Sequence, residues 1–169
     1  SMLLKKFIIK RFLLINMNDK NQFLDLSKYV KGKKIGEGSF GKVYKVEDTE
    51  TGQIYAAKVS NKEIIDKSDN SFTDFSREVN IFSQISHPSI LKFIGFSPTN
   101  FANDFKPVIV TEYSEVGSLE KLIKLERQGL SENNWDNTRK LINIFGIASG
   151  MAYLHSQNLL HRDLKPENV

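Results

Sequence analysis

Three glycines in Ile35-Gly36-Glu37-Gly38-Ser39-Phe40-Gly41-Lys42-Val43 constrain this chain more than any other feature. Glycine permits tight backbone geometry and lets main-chain N–H groups approach a phosphate without side-chain obstruction. A dinucleotide fingerprint with the same Gly-x-Gly-x-x-Gly spacing needs a helix to open at the third glycine. Here Lys42 to Glu47 alternates as a strand and turns back at Asp48-Thr49-Glu50-Thr51-Gly52, which excludes that reading. Gly36 to Lys42 also fits Gly-x4-Gly-Lys, but a P-loop needs Ser or Thr next to hold magnesium, and Val43 stands there. What remains is a glycine-rich hairpin, either a cover for phosphates or a plain flexible turn.

The flanking segments place that hairpin in a meander. Tyr29 to Ile35 and Gln53 to Val59 read as strands, too close together for an intervening helix. Asn61 to Asn70 is polar and loop-like. Ser71-Phe72-Thr73-Asp74 has the form of a capping box and predicts a helix from Phe72 to Ser86, with Phe75, Val79, Phe82 and Ile85 toward the core. His87-Pro88 ends it, because a residue before proline avoids the helical region. Strands over Leu91 to Phe96 and Val108 to Tyr113 follow. Gly117-Ser118 opens a helix to Gln128, stopped by Gly129. A longer helix, Trp135 to Ser156, carries Leu141, Ile144, Phe145, Ala148, Met151, Ala152 and His155 on one face.

With 40% apolar and 26% charged residues, the 169-residue chain has the balance of a globular protein able to bury a core. The absence of cysteine excludes disulfides, thiolate metal sites and cysteine nucleophiles, and the three histidines are too scattered for a metal cluster. Much of the net charge of +4 lies in Lys5, Lys6, Lys10 and Arg11 and again in Lys28, Lys31, Lys33 and Lys34. Such clusters suit acidic surfaces or a phosphate-bearing ligand, or form a solvated face. Residues 1–28 read as a basic and apolar leader, disordered or partly artefactual, with Met17 as a possible working start. Its apolar blocks are broken by charges, which fits neither a membrane-spanning helix nor a signal peptide, so a cytoplasmic location without membrane association is expected.

Two further features carry chemistry. Lys58, in the apolar strand Tyr55-Ala56-Ala57-Lys58, is costly there unless an anion meets it, and Glu78 or a phosphate are candidates; the alternative is a lysine pointing outward. Near the end stands His161-Arg162-Asp163-Leu164-Lys165-Pro166-Glu167-Asn168. Glycine loop, strand lysine, helix glutamate and this run, in this order, resemble the protein kinase family over residues 29 to 169. Lys165 is similar to the Ser/Thr-directed branch, and Val110-Thr111-Glu112-Tyr113 with Gly117-Ser118-Leu119 looks like the tyrosine-kinase-like group.

The resemblance implies an α+β, protein-kinase-like fold. A five-stranded antiparallel small lobe with one helix would occupy 29–113; the hinge and first helices of an incomplete large lobe, through the catalytic loop, would occupy 114–169. It implies phosphoryl transfer from Mg-ATP to Ser or Thr of protein substrates, with ATP and Mg2+ as cofactors and no nucleic-acid partner. Ile35, Gly36, Glu37, Gly38, Ser39, Phe40, Gly41 and Val43 would cover the nucleotide, with Ala56 against the adenine. Lys58, oriented by Glu78, would hold the alpha and beta phosphates. Thr111 would be the gatekeeper before a hinge of Glu112, Tyr113 and Ser114. Asp163 would be the general base, Lys165 would stabilise the transferring phosphate, and Asn168 would ligate magnesium. Phe82, Phe93 and His161 match three of four members of the family's hydrophobic spine.

The chain ends at Val169, before any Asp-Phe-Gly, whose aspartate would be the second metal ligand. By itself it is therefore expected to show no meaningful turnover and to be marginally folded in its C-terminal third. A non-catalytic nucleotide-binding or interaction module is the rival reading, and small-molecule phosphotransfer on a kinase-like fold is a third.

Overall fold

The computed structural model describes residues 22–38, 40–64, 70–130 and 135–169. Contacts divide the chain into two compact units, one running to Ile85 and resuming over Lys92–Tyr113, the other comprising Ser86–Leu91 and Ser114–Val169.

The first unit is a five-stranded antiparallel sheet with one helix. Strands β1 (Tyr29–Gly38), β2 (Gly41–Asp48), β3 (Ile54–Ser60), β4 (Phe93–Ser97) and β5 (Val108–Glu112) lie in the order β1-β2-β3-β5-β4. The expected meander is present, and helix α1 (Asn70–Gln84) enters between β3 and β4. Directly opposed residues share a face of a sheet. Val43, Lys58 and Ile109 are thus aligned on one face, and Tyr44, Ala57 and Val110 on the other.

Each face has its own core. On the Lys58 face, Phe72, Phe75 and Val79 of α1 pack with Phe96, Ile109 and Ile64, and the Phe75 and Phe96 rings meet edge to face at 6.1 Å. On the other face, Val46, Ala57, Val59, Val108 and Val110 pack with Leu26. Full burial of an aliphatic or phenyl side chain contributes about 1.5–3 kcal/mol, so these two clusters hold the sheet and its helix together.

Three local expectations need correction. The helix does not open at the Ser71 capping box, since Ser71 already lies within α1 and Phe72 is one of its buried residues. It also stops two residues early, at Gln84, with Ile85 bonding back to Phe82. Residues 22–28, placed in the leader, belong instead to the packed unit. Leu24 donates to the Phe96 carbonyl at 2.8 Å, Phe23 meets Phe96 edge to face, and Leu26 is buried in a short 3-10 turn capped by Asp25. The rest of the expected leader lies outside the described residues.

In the second unit, helix α2 (Leu119–Arg127) starts behind Ser118, whose hydroxyl accepts from Lys121, and is followed by Gly129 at a φ of +68°. Helix α3 (Asn137–Ser156) starts two residues later than Trp135 because Asp136 caps it, accepting from Arg139. Leu141, Ile142, Ile144 and Phe145 of α3 are exposed. His87 and Tyr153 stack at 5.0 Å, and the Ser86 amide donates to the Tyr153 hydroxyl, fixing residues 86–91 to α3. No helix among the described residues is long and apolar enough to cross a membrane.

Candidate functional site

In the first unit, the glycine hairpin joins β1 to β2, with Gly38 paired to Gly41 and Gly36 to Val43. A Cβ at Gly41 would lie 2.4 Å from the Val59 carbonyl oxygen, so only glycine lets β2 lie this close to β3. A Cβ at Gly38 would meet no atom within 4 Å, leaving open backbone where a ligand can approach. Asn61 fastens the hairpin to the end of β3 by donating to the Gly38 carbonyl at 3.2 Å. Ser39 lies outside the described residues. Phe40 is exposed, its ring centroid 5.8 Å from the Lys58 nitrogen.

Lys58 lies one strand over from the hairpin, on the face that α1 covers. Its ammonium donates to Glu78 Oε1 at 3.0 Å, one of the partners the sequence offered as candidates. Strand alternation puts Ala56 on the same face, opposite Thr111 of β5. The Phe82 and Phe93 rings stack at 6.2 Å beneath this face. At the end of β5 the Glu112 amide donates to the Lys92 carbonyl at 2.9 Å, and the Glu112 carboxylate accepts from the Lys92 amide at 2.8 Å. The Glu112 carbonyl accepts from the Thr111 hydroxyl at 3.2 Å. Tyr113 ends the first unit with Lys45 over its ring, and Ser114 begins the second.

The second unit gathers Asp163, Lys165 and Asn168. Arg162 turns the chain at a φ of +63°, a left-handed conformation that costs a non-glycine residue of order 1–3 kcal/mol and is held only where its surroundings fix it. Pro166 starts a 3-10 turn that brings Asn168 back, and its side-chain amide donates to the Asp163 carbonyl at 2.8 Å and to Asp163 Oδ2 at 2.9 Å. Lys165 lies 3.2 Å from the same oxygen. The Lys165 and Asn168 hydrogen bonds hold the Asp163 carboxyl below its ordinary range, against a smaller desolvation effect. At neutral pH it is an ionised acceptor. The Val169 carbonyl accepts from Leu119 at 2.7 Å, tying the loop to α2. His161 Nδ1 is buried without a hydrogen-bond partner.

Within the first unit Lys58 meets Glu78, and within the second Asp163 meets Lys165 and Asn168. The doubly donated bond of Asn168 to Asp163 was not legible from spacing, because it depends on the Arg162 conformation. Among the described residues, no group of three or more His, Asp or Glu side chains converges on a common metal position.

The protein kinase domain family matches residues 29–169. An Aurora kinase of Saccharomyces cerevisiae is 36% identical over 146 residues, covering 86% of this chain and 37% of that protein. Calcium-dependent protein kinase 5 of Plasmodium berghei is 34% identical over 162 residues, covering 96% of this chain and 26% of that protein. LIM domain kinase 1 of Drosophila melanogaster is 37% identical over 137 residues, 81% of this chain and 10% of that protein. The chain thus spans well under half the length of these curated relatives.

Proposed function

This chain belongs to the protein kinase family, and from that premise we propose that its first unit holds the nucleotide and its second the acid–base groups of phosphoryl transfer from Mg-ATP to a Ser or Thr hydroxyl of a protein. The observation that carries this reading is the Lys58–Glu78 pair, 3.0 Å apart on the face reached by the glycine hairpin. A lysine fixed by a helix carboxylate beside open glycine backbone is a cation aimed at phosphates.

The residues present fit both cofactors. Open backbone at Gly38 and the Lys58 ammonium suit the triphosphate, with Ile35, Val43 and Ala56 around the base, Thr111 before the hinge, and the Glu112 carbonyl as its acceptor. The Asn168 amide oxygen is a hard oxygen donor of the kind magnesium takes, and that ion would neutralise phosphate charge when bound. Asp163 accepts from Lys165 and Asn168, so its carboxylate is oriented as well as ionised. In a loose phosphoryl-transfer transition state, orienting the attacking hydroxyl matters more than the strength of the base, so a lowered pKa is compatible with that role. Lys165 would stabilise charge on the transferring group.

Lys165, together with an Aurora kinase and a calcium-dependent protein kinase among the relatives, supports Ser/Thr over Tyr. The run Val110-Thr111-Glu112-Tyr113 and Gly117-Ser118-Leu119 supports a place in the tyrosine-kinase-like group. Dependence on ATP fits action in the cytoplasm. The deciding experiment titrates Mg-ATP against the chain, followed by thermal shift, beside Lys58→Met. Saturable binding that the substitution abolishes is the expected result; equal binding by both proteins would remove the assignment of Lys58.

A further inference from the structure

A second basic feature lies on the opposite face of the same sheet, where the nucleotide reading uses nothing. A cavity of about 490 Å³ is lined by Lys31, Lys42 and Lys106, by Tyr44 and Phe101, and by polar groups including Asn100, with no carboxylate among its lining residues. The register separates it from the nucleotide residues, because Lys42 opposes Val59 while Val43 opposes Lys58. The volume falls within the roughly 300–1,000 Å³ usual for ligand sites.

The electrostatics select an anion. Lys42 reaches Glu37 only at 3.7 Å, and Lys106 reaches Glu63 only at 3.5 Å, longer than the ~2.7–2.9 Å of a well-formed charge-assisted bond. Glu37 is shared with Lys34, its closer partner. Lys31 has no carboxylate within ion-pair distance among the described residues; its ammonium lies 3.9 Å from the Tyr44 ring centroid and 5.9 Å from that of Phe101. Among the described residues, three lysines line the cavity and only Lys42 and Lys106 have a carboxylate within ion-pair distance, Glu37 being shared with Lys34 as well, so positive charge is in excess there. The excess matches a phosphate monoester, which carries about −1.5 to −2 charges. The wall is preformed, since the Asn100 side chain accepts from the Ala102 and Asp104 amides at 2.8 and 3.0 Å and fixes the loop that presents Phe101.

We propose that this cavity docks a phosphoserine- or phosphothreonine-bearing segment of a partner protein, its phosphate seated on Lys31 between Lys42 and Lys106. A nucleic acid fits less well, because base stacking needs an open aromatic face and Lys31 covers that of Tyr44. The basic cluster around Lys31 thereby gains a role that the phosphotransfer reading leaves unassigned.

The test measures fluorescence anisotropy of the whole chain with a labelled degenerate peptide pool carrying one central phosphoserine, beside the same pool carrying serine. The phosphorylated pool is expected to bind at least about tenfold more tightly, with Lys31→Gln and Lys106→Gln each removing about tenfold. Lys31→Arg should retain binding, and Arg77→Gln, a charge control on α1, should leave it unchanged. In the wild-type chain, NMR shifts induced by the phosphorylated pool should centre on Lys31, Tyr44 and Phe101, a readout that does not require the variants to fold. Equal binding of the two pools, no binding at millimolar peptide, shifts centred elsewhere, or a loss with Arg77→Gln equal to that with Lys31→Gln would each overturn the proposal. So would phosphatidylserine vesicles or single-stranded RNA competing more strongly than the phosphorylated pool, or inorganic phosphate binding as tightly as that pool.

Discussion

The Lys58 ammonium and the Glu78 carboxylate lie 3.0 Å apart, joining the middle of β3 to the middle of α1. The two side chains are 40% and 37% exposed, and ion pairs so open to water contribute only about 0.2–1 kcal/mol to stability. Their consequence is positional: the carboxylate holds a cation at one point on the face that bears the glycine hairpin.

Glu78→Gln should therefore separate binding from folding. Thermal unfolding should move by no more than a few degrees, as expected for a loss below about 1 kcal/mol in a unit of this size. Mg-ATP affinity should fall about three- to tenfold, because the uncharged amide leaves Lys58 less well fixed. Isothermal titration beside a thermal melt checks both, and an affinity unchanged in Glu78→Gln would show that the carboxylate does not orient the lysine.

Two glycines of one hairpin should respond oppositely to alanine. At Gly41 the added Cβ would sit 2.4 Å from the Val59 carbonyl oxygen, which is backbone and cannot swing aside. Gly41→Ala should thus push β2 off β3 and cost about 1–3 kcal/mol, the range for overpacking. Gly38→Ala meets no atom within 4 Å and should leave urea stability nearly unchanged while weakening Mg-ATP binding. Equal urea midpoints for the two variants would contradict this account of the β2–β3 approach.

The strand order along the chain was legible because turn residues and alternating apolar positions punctuate it. The meeting of Lys58 with Glu78 was one of the alternatives the sequence offered for a lysine in the apolar strand Tyr55 to Val59, though the pair stays open to water. The start of α1 was not legible. Ser71 carried a plausible cap signal, but burial of Phe72 and Phe75 against Phe96 and Ile109 sets where that helix lies. Leu24 and Leu26 were read as leader because a few apolar residues without periodicity show nothing until β4 offers Leu24 the Phe96 carbonyl and the sheet buries Leu26. The grouping of Lys31, Lys42 and Lys106 depends on strand register and on the Asn100 turn, so sequence separation hid it.

Exposure predicts a contrast between two phenylalanines. Phe96 is 3% exposed and meets Phe23 and Phe75 edge to face, so Phe96→Ala should cost about 3–5 kcal/mol, a large part of the stability of a small unit. Phe145, on α3, is 74% exposed, and Phe145→Ala should change stability by less than about 0.5 kcal/mol while reducing self-association of the isolated chain. Urea melts and light scattering test the pair; a loss in Phe145→Ala comparable to that in Phe96→Ala would mean that α3 is packed in solution.

The Asp163 loop sets a pH dependence whose direction follows from its partners. Hydrogen bonds from Lys165 and Asn168 lower the carboxyl pKa from its ordinary 3.8. A carboxylate depressed on folding binds its proton more weakly than in the unfolded chain, so its contribution to the loop is complete above the unfolded pKa. That contribution is lost as pH falls through the lowered value. The Asn168 side-chain amide resonances, which report the bonds at 2.8 and 2.9 Å, should accordingly be constant from pH 8 to about pH 5 and move in acid with a midpoint below 3.8. Lys165→Gln removes the largest cause and should raise the midpoint toward 3.8; Asn168→Ala should raise it less. A carboxyl-carbon titration of Asp163 with a midpoint at or above 3.8 in the wild-type chain would show that the two donors do not hold the carboxylate in solution. The loop would then lack the orientation that its proposed part in phosphoryl transfer requires.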